Sequence, residues 1–240
     1  MGKSLMSHDE VVMKPAGEIL RGEMLSGSCP GVSFYKSVLK AKKRFDLTTY
    51  SETQKTQILF FTRGKGYVGT ENGAHNITEE AVFVPLYDSE KVFIYAVTDL
   101  EFIEILVDLS PEDVAAMKKV RMTLPYFCLM SDCFRYEEDF KGPGTISYGI
   151  IKKMFLGRVL MGAVIAEGPN VNGEHSHKDL DQWYFGLEGA CFKYSAGGET
   201  FTVKAGDLTH TGRGIVHRSE TGAGQKMRYM WFELITEEKQ

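Results

Sequence analysis

No apolar run in the 240-residue chain approaches the roughly 20 residues needed to cross a bilayer. The longest, Val159 to Ala166, has the length of a strand. The start, MGKSLMSHDE, is polar and lacks an apolar signal core, and Met6 occupies the position where a myristoylation signal wants Ser or Thr. The expectation is a cytoplasmic protein with no membrane partner. Cysteine is scarce: Cys29, Cys128, Cys133 and Cys191 are scattered and none forms C-x-x-C, and the Cys128/Cys133 spacing is too loose for a metal half-site. They read as thiols in a reduced interior. Clustered positive charge is missing as well. The net charge is -4, and the one run of bases is Lys42, Lys43 and Arg44, which gives no footprint for a phosphate backbone and excludes nucleic acid as a partner.

What is present is ample apolar content, 43% of residues, enough for one large all-β domain or two of ordinary size. Residues 1–30 are punctuated by Gly17, Gly22, Gly27 and Pro30 and read as an N-terminal arm with one short strand. Short apolar runs such as Gln57 to Arg63 and Ala81 to Leu86, separated by Gly64, Gly66 and the turn pair Asn72-Gly73, describe a hairpin series. Gly64 to Gly69 also fits G-x-G-x-x-G. That fingerprint needs a helix to open at its last glycine, whereas Thr70, Glu71, Asn72 and Gly73 form a turn, so a dinucleotide site is rejected. His75, the only histidine of residues 31–109, reads as an exposed loop residue.

The period changes once. Ser110-Pro111-Glu112-Asp113 has the form of a helix start, with an N-cap hydroxyl, Pro at N1 and an acid at N3. The helix it opens runs through Val114 to Val120, and residues 110–144 are expected to connect two β domains, 31–109 and 145–240. The two halves repeat: at an offset of 125, Gln57 falls on Gln182, Phe60 on Phe185 and Gly64 on Gly189. The repeat does not extend to histidine, since His175 falls on Tyr50 and His177 on Glu52, so the first half has no metal motif.

Chemistry concentrates in Gly173 to His217, which holds His175, His177, His210 and His217, four of the six histidines. Imidazole is the commonest protein ligand for a divalent metal, and H-x-H on an extended strand points both rings to one face. Four residues separate His177 from Gln182 and six more lead to Gly189. Further on, Gly206 is followed by Gly212, Gly214 and His217.

These spacings resemble the paired motifs of the cupin superfamily, H-x-H, four residues, a carboxylate or Gln, six residues, Gly, and then G-x5-P-x-G-x2-H. Gln182 stands where the family usually has Glu, Gly212 where it has Pro, and Gly168 is one residue out of place. The resemblance implies a bicupin: all-β, with two tandem double-stranded β-helix (jelly-roll) barrels joined by a short helical connector, the first degenerate and the second bearing the metal motif. It further implies His175, His177, Gln182 and His217 as ligands of one divalent ion (Mn, Fe, Ni, Co or Zn), Gly189 and Gly206 as turn glycines, and a homodimer paired through sheet edges. A metal-free first barrel ahead of a metal-bearing second is similar to the ureidoglycine aminohydrolase arrangement, although that family's ligand spacing differs.

A shell of three imidazoles and one amide leaves the ion's charge uncompensated, which predicts a strong Lewis acid and an anionic substrate. Asp179 or Asp181 is the competing fourth ligand. Strand parity turns Tyr184 inward with Gln182, and Trp183 and Phe185 the other way. Tyr184 is a candidate proton donor, and Arg213, between two turn glycines, a candidate partner for a substrate carboxylate. His210 is a weaker pocket candidate, and Met161, Met227 and Met230 are expected in the core. The implied function is a metal-dependent enzyme acting on a small, carboxylate-bearing metabolite by hydrolysis, isomerisation or elimination. The alternatives are a dioxygenase-type cupin and a non-catalytic cupin that binds a small molecule.

Overall fold

The computed structural model describes residues 4–120 and 123–236. These residues are mostly strand, with one α-helix among them, Pro111–Val120, as the all-β reading expects. The chain divides into two compact units, Val11–Cys133 and a second formed by Met1–Glu10 with Phe134–Gln240.

In the first unit, a seven-stranded sheet runs in the order Tyr126–Leu129, Ala81–Val84, Lys55–Arg63, Leu100–Asp108, Val32–Leu39, Ile19–Met24, Lys14–Ala16. A four-stranded sheet runs Arg44–Asp46, Phe93–Ala96, Gly66–Thr70, Gly73–Ile77. All of these pairings are antiparallel. Alternation puts Leu59, Phe61, Leu100 and Phe102 of the larger sheet against Val68, Ile77, Ile94 and Ala96 of the smaller, all of them buried in one core. Burial on this scale supplies the driving force, at about 25 cal/mol per Å² of apolar surface removed from water.

The second unit repeats this plan element for element. Its larger sheet is Leu5–Met6, Leu208–Thr211, Leu180–Gly186, Lys226–Ile235, Val159–Glu167, Ile146–Leu156, Phe134–Tyr136, and its smaller one is Asn170–His175, His217–Thr221, Cys191–Ala196, Glu199–Lys204. Strand Lys55–Arg63 thus corresponds to Leu180–Gly186, which is the relation the offset of 125 predicts. Met161, Met227 and Met230 are fully buried, as expected. Gly189 and Gly206 have φ of 80° and 85°, the left-handed conformation that makes glycine the natural residue at such turns.

The segments outside the expected barrels hold the larger surprises. The start of the chain is not a free arm: Leu5 and Met6 pair with Thr209 and Leu208, His8 N–H donates to Asp207 Oδ1 at 2.8 Å, and Lys14–Ala16 and Ile19–Met24 are strands of the first unit. The stretch 110–144 is divided. Its helix belongs to the first unit and is closed by a reciprocal cap, with Ser110 N–H donating to Asp113 Oδ2 at 3.0 Å and Asp113 N–H to Ser110 Oγ at 3.2 Å. Phe134–Tyr136 belongs to the second unit. His75 is not a loop residue: it lies within Gly73–Ile77 and stacks on Phe127 with centroids 5.1 Å apart. Cys128 and Cys133 come together with sulfurs 3.3 Å apart, which their sequence spacing did not anticipate.

Gly64 explains the decoy motif. Its φ is 98°, and a Cβ there would lie 2.1 Å from the Asp99 carbonyl oxygen; it is the tight corner after Lys55–Arg63. Gly64→Ala is expected to destabilise the first unit by about 2 kcal/mol, from left-handed strain and a backbone clash. Urea unfolding that shows no shift in midpoint would contradict this.

Candidate metal centre

Two neighbouring strands of the smaller sheet in the second unit bring the histidines together. His175 ends Asn170–His175 and His217 begins His217–Thr221, and the two are cross-strand partners after an irregularity between Asn172 and His175. Their ring centroids lie 4.3 Å apart, and the His177 ring is 5.1 Å from His175 and 5.4 Å from His217. The loop ahead of His217 is tied down by Gly214 N–H, which donates to the His177 carbonyl at 2.6 Å. Gly214 has φ of 71°, so the second glycine of the motif serves this turn.

Tautomers follow from the backbone. His175 Nδ1 lies 2.8 Å from the Gly173 carbonyl oxygen, and His217 Nδ1 3.0 Å from that of Ile215. A carbonyl only accepts, so each Nδ1 carries the proton and each Nε2 presents a lone pair. The Nε2 atoms of His177 and His217 are buried without a partner. Burial pushes the His217 imidazole down to about 4, helped by the neighbouring His175 and His177 and opposed by its bond to Ile215. Burial and then His175 lower His177 in the same way. Both are neutral at pH 7, the form in which imidazole binds a metal.

These groups fit an ion. One nitrogen from each of His175, His177 and His217 lies within 4.8 Å of the others, whereas ligand atoms about 2.1 Å from a common ion stand at most about 4.2 Å apart. A small inward shift closes the difference. Gln182 faces the same cavity from Leu180–Gly186; its Nε2 donates to Glu233 Oε1 at 2.6 Å, and its Oε1 is buried with no partner. His175, His177 and Gln182 line one cavity of about 240 Å³, and His217 adjoins the two histidines in the group of three that could hold a metal ion.

The remaining sequence candidates separate by strand face. Tyr184 lines the cavity, buried and stacked on Tyr229 with centroids 4.1 Å apart. Burial, followed by the nearby Tyr229 and Tyr194, raises its hydroxyl well above the usual tyrosine range. Trp183 and Asp181 face the other way. His210 joins them there rather than lining the cavity, with its Nε2 2.8 Å from Asp181 Oδ1 and its ring stacked on Trp183. Asp181 is committed to that pair and to Thr236, so it is no candidate to replace Gln182. Asp179 is half-buried and lies outside the ligand cluster. Arg213 is exposed in the turn between Gly212 and Gly214 and is not among the residues that line the cavity.

Sequence reasoning missed the lid and the back wall. Tyr136, Glu138, Phe140 and Lys141, from the stretch expected to be a connector, line the cavity. The Phe140 ring lies 4.4 Å from that of His175, and Lys141 Nζ is ion-paired with Glu138 and 2.8 Å from Ser147 Oγ. Glu233 was also missed. In Lys226–Ile235 the residues Tyr229, Trp231 and Glu233 alternate onto the cavity face, so a period-two reading of MRYMWFELI shows an acid directed into a barrel. Burial pushes the Glu233 carboxyl up to about 7, opposed by the Gln182 hydrogen bond.

Comparison with known proteins agrees with this architecture. The cupin domain model matches residues 163–233, and no curated protein matches the sequence. Among solved structures, the chain is similar to an oxalate decarboxylase of Lactobacillus farciminis in its formate complex, with a TM-score of 0.72 and 12% identity over 98% of this chain and 86% of that one. It is similar to a Pseudomonas aeruginosa protein described as a putative glyoxylate-induced protein, with a TM-score of 0.78 and 13% identity over 98% of this chain and 90% of that one. A cupin 2 conserved barrel domain protein from Leptotrichia buccalis gives 0.64 and 15% over 98% and 97%. Residues 163–233 thus carry a cupin domain, and the chain as a whole has a repeated β fold shared with these solved structures.

Proposed function

We propose that the second barrel is the active site of a metal-dependent enzyme that acts on a small, carboxylate-bearing metabolite by hydrolysis, isomerisation or elimination. The observation that carries this reading is the group of inward-facing, unpartnered ligand atoms: His177 Nε2, His217 Nε2 and Gln182 Oε1, beside His175. A buried polar atom without a partner costs about 1–3 kcal/mol, and these three acceptor atoms call for a binding partner with positive charge. His175, His177, Gln182 and His217 are the proposed ligands of one divalent ion, Mn, Fe, Ni, Co or Zn. Held there, the ion supplies Lewis acidity toward a substrate carbonyl or carboxylate.

The protein's own groups set the rest. Imidazole and amide ligands bring no negative charge to an ion, which favours a substrate that does. Lys141, held between Glu138 and Ser147, is the cavity's fixed ammonium and the proposed seat of a substrate carboxylate. Tyr184, kept protonated by burial, donates a hydrogen bond or a proton to an oxygen that gains charge. The cavity volume of about 240 Å³ suits a small metabolite.

The test is a turnover screen with metal-loaded protein across small oxo, hydroxy and dicarboxylic acids. Oxalate and glyoxylate are included because the names of two structural neighbours point to them. Consumption of one acid by wild type is the expected result; a ligand that raises the melting temperature but is never consumed would favour the non-catalytic binding reading. For the acid that turns over, Tyr184→Phe is expected to lower kcat by about 100-fold at unchanged metal content, and an unchanged kcat removes Tyr184 from the reaction. The proposal also makes the chain a cytoplasmic homodimer, and light scattering at one chain mass would sink the dimer.

A further inference from the structure

The cavity contains an acid that no ligand motif assigns. Gln182 and Glu233 are directly opposed across the antiparallel pair Leu180–Gly186 and Lys226–Ile235, so both side chains leave the sheet on the same face. Gln182 Nε2 donates to Glu233 Oε1 at 2.6 Å. With Glu233 ionised, that bond decides the orientation of the amide, because turning it over would set the amide oxygen against a carboxylate oxygen. Held this way, Gln182, which lines the cavity, keeps its Oε1 buried and without a partner. Glu233 Oε1 itself stands 4.0 Å from His177 Nε2, which is beyond hydrogen-bond reach.

We propose that Glu233 is a positioning residue of the metal centre, supplying through the amide of Gln182 the negative charge that position 182 lacks. This rests on the metal reading above. A carboxylate accepting from the amide N–H draws electron density onto the amide oxygen and fixes its direction, as outer partners of metal ligands do. The pair then acts as a single acidic ligand divided between two strands, with the neutral end toward the ion.

The first barrel has a Gln–Glu pair of its own beside a permanent cation, set diagonally rather than directly opposed, since Gln57 lies opposite Leu106 and Glu104 opposite Leu59. Gln57 Nε2 donates to Glu104 Oε1 at 2.7 Å, and Gln57 Oε1 is likewise buried and unpartnered. There the Arg21 guanidinium binds the other oxygen of Glu104 at 2.5 Å. A Gln–Glu pair beside positive charge therefore occurs in the barrel without the histidines, in which an arginine carries the charge.

The experiment titrates full-length apoprotein with Co²⁺ against a competing chelator and follows the visible absorption of the bound ion, which reports its coordination. Glu233→Gln is expected to weaken Co²⁺ binding about 10- to 100-fold and to broaden the spectrum, since the amide loses its fixed direction. The exchange Gln182→Glu/Glu233→Gln keeps the cross-strand hydrogen bond and moves the acid to the ligand position; it is expected to bind at least as tightly as wild type. Glu104→Gln, in the first barrel, is expected to leave Co²⁺ affinity unchanged. Wild-type affinity in Glu233→Gln overturns the inference, and so does an exchange variant no tighter than Glu233→Gln. A wild type that binds no Co²⁺, Mn²⁺, Ni²⁺, Fe²⁺ or Zn²⁺ overturns the metal reading itself, which separates that failure from failure of the Glu233 role alone.

Discussion

Protein purified without a His-tag is expected to contain close to one equivalent of a single divalent metal per chain, and a His175→Ala/His177→Ala variant essentially none. The two rings are neighbours, with centroids 5.1 Å apart, and the variant removes two of the three imidazoles able to share an ion. Loss of outer partners alone costs about 10- to 100-fold in metal affinity, so deletion of two ligands should exceed the upper figure and empty the site during purification. Elemental mass spectrometry on both proteins measures this directly. The stability of the metal-free protein supplies a second readout. An ion bound to the folded state only, at about 1,000 times its dissociation constant, adds about 4 kcal/mol, so loading should raise the melting temperature of wild type and leave the variant where it was. Metal absent from wild type even after loading with Mn, Fe, Ni, Co and Zn would mark a lapsed site and put the binding-module reading first.

A substitution one residue away from Gln182 should act through stability instead. Trp183 is fully buried, stacks on His210 at a centroid distance of 4.7 Å and packs against Phe232 at 5.6 Å, on the face of Leu180–Gly186 opposite the cavity. Trp183→Ala is expected to cost about 3–5 kcal/mol, the range for emptying a large aromatic site. It should also loosen the stacked half of the His210–Asp181 pair. The fraction that remains folded should still bind metal with close to wild-type affinity, because the ligands project from the other face. Urea unfolding measures the first effect and chelator competition the second. A loss under about 1 kcal/mol, well short of that range, or a loss of metal affinity without a loss of stability, contradicts the assignment of faces.

The contrast between positions 182 and 183 shows what is legible in the chain. Period-two alternation is a local property, so once Gln182 is taken to face inward it turns Tyr184 the same way and Trp183 the other. The helix at Pro111–Val120 is legible for a similar reason, since its signal lies in four consecutive residues whose first and last, Ser110 and Asp113, bond each other. Gly189 and Gly206 can be placed because a left-handed turn needs glycine whatever surrounds it. The position of His210 is not legible. Its partners, Asp181 and Trp183, are brought to it by the pairing of Leu208–Thr211 with Leu180–Gly186, and proximity of His210 to the ligand motif in sequence carries no information about which face it occupies. Arg213 misleads in the same way, since a loop beside the ligands in sequence leaves its side chain exposed and off the cavity wall.

By itself the amino-acid sequence determined the β character of the chain and its turns, because each of these depends on spacing along one strand or one turn. The repeat and the three histidines with Gln182 stand out only when spacings are matched to a second copy or to a family motif. Only the tertiary structure decided what surrounds them. Glu233 reaches Gln182 through strand register, Phe140 and Lys141 reach the cavity when Phe134–Tyr136 joins the edge of the second barrel's larger sheet, and Leu5–Met6 extends its other edge. Each of these contacts joins residues distant in sequence. Their closure entropy is offset only by the packing of the finished barrel, so no local pattern announces them.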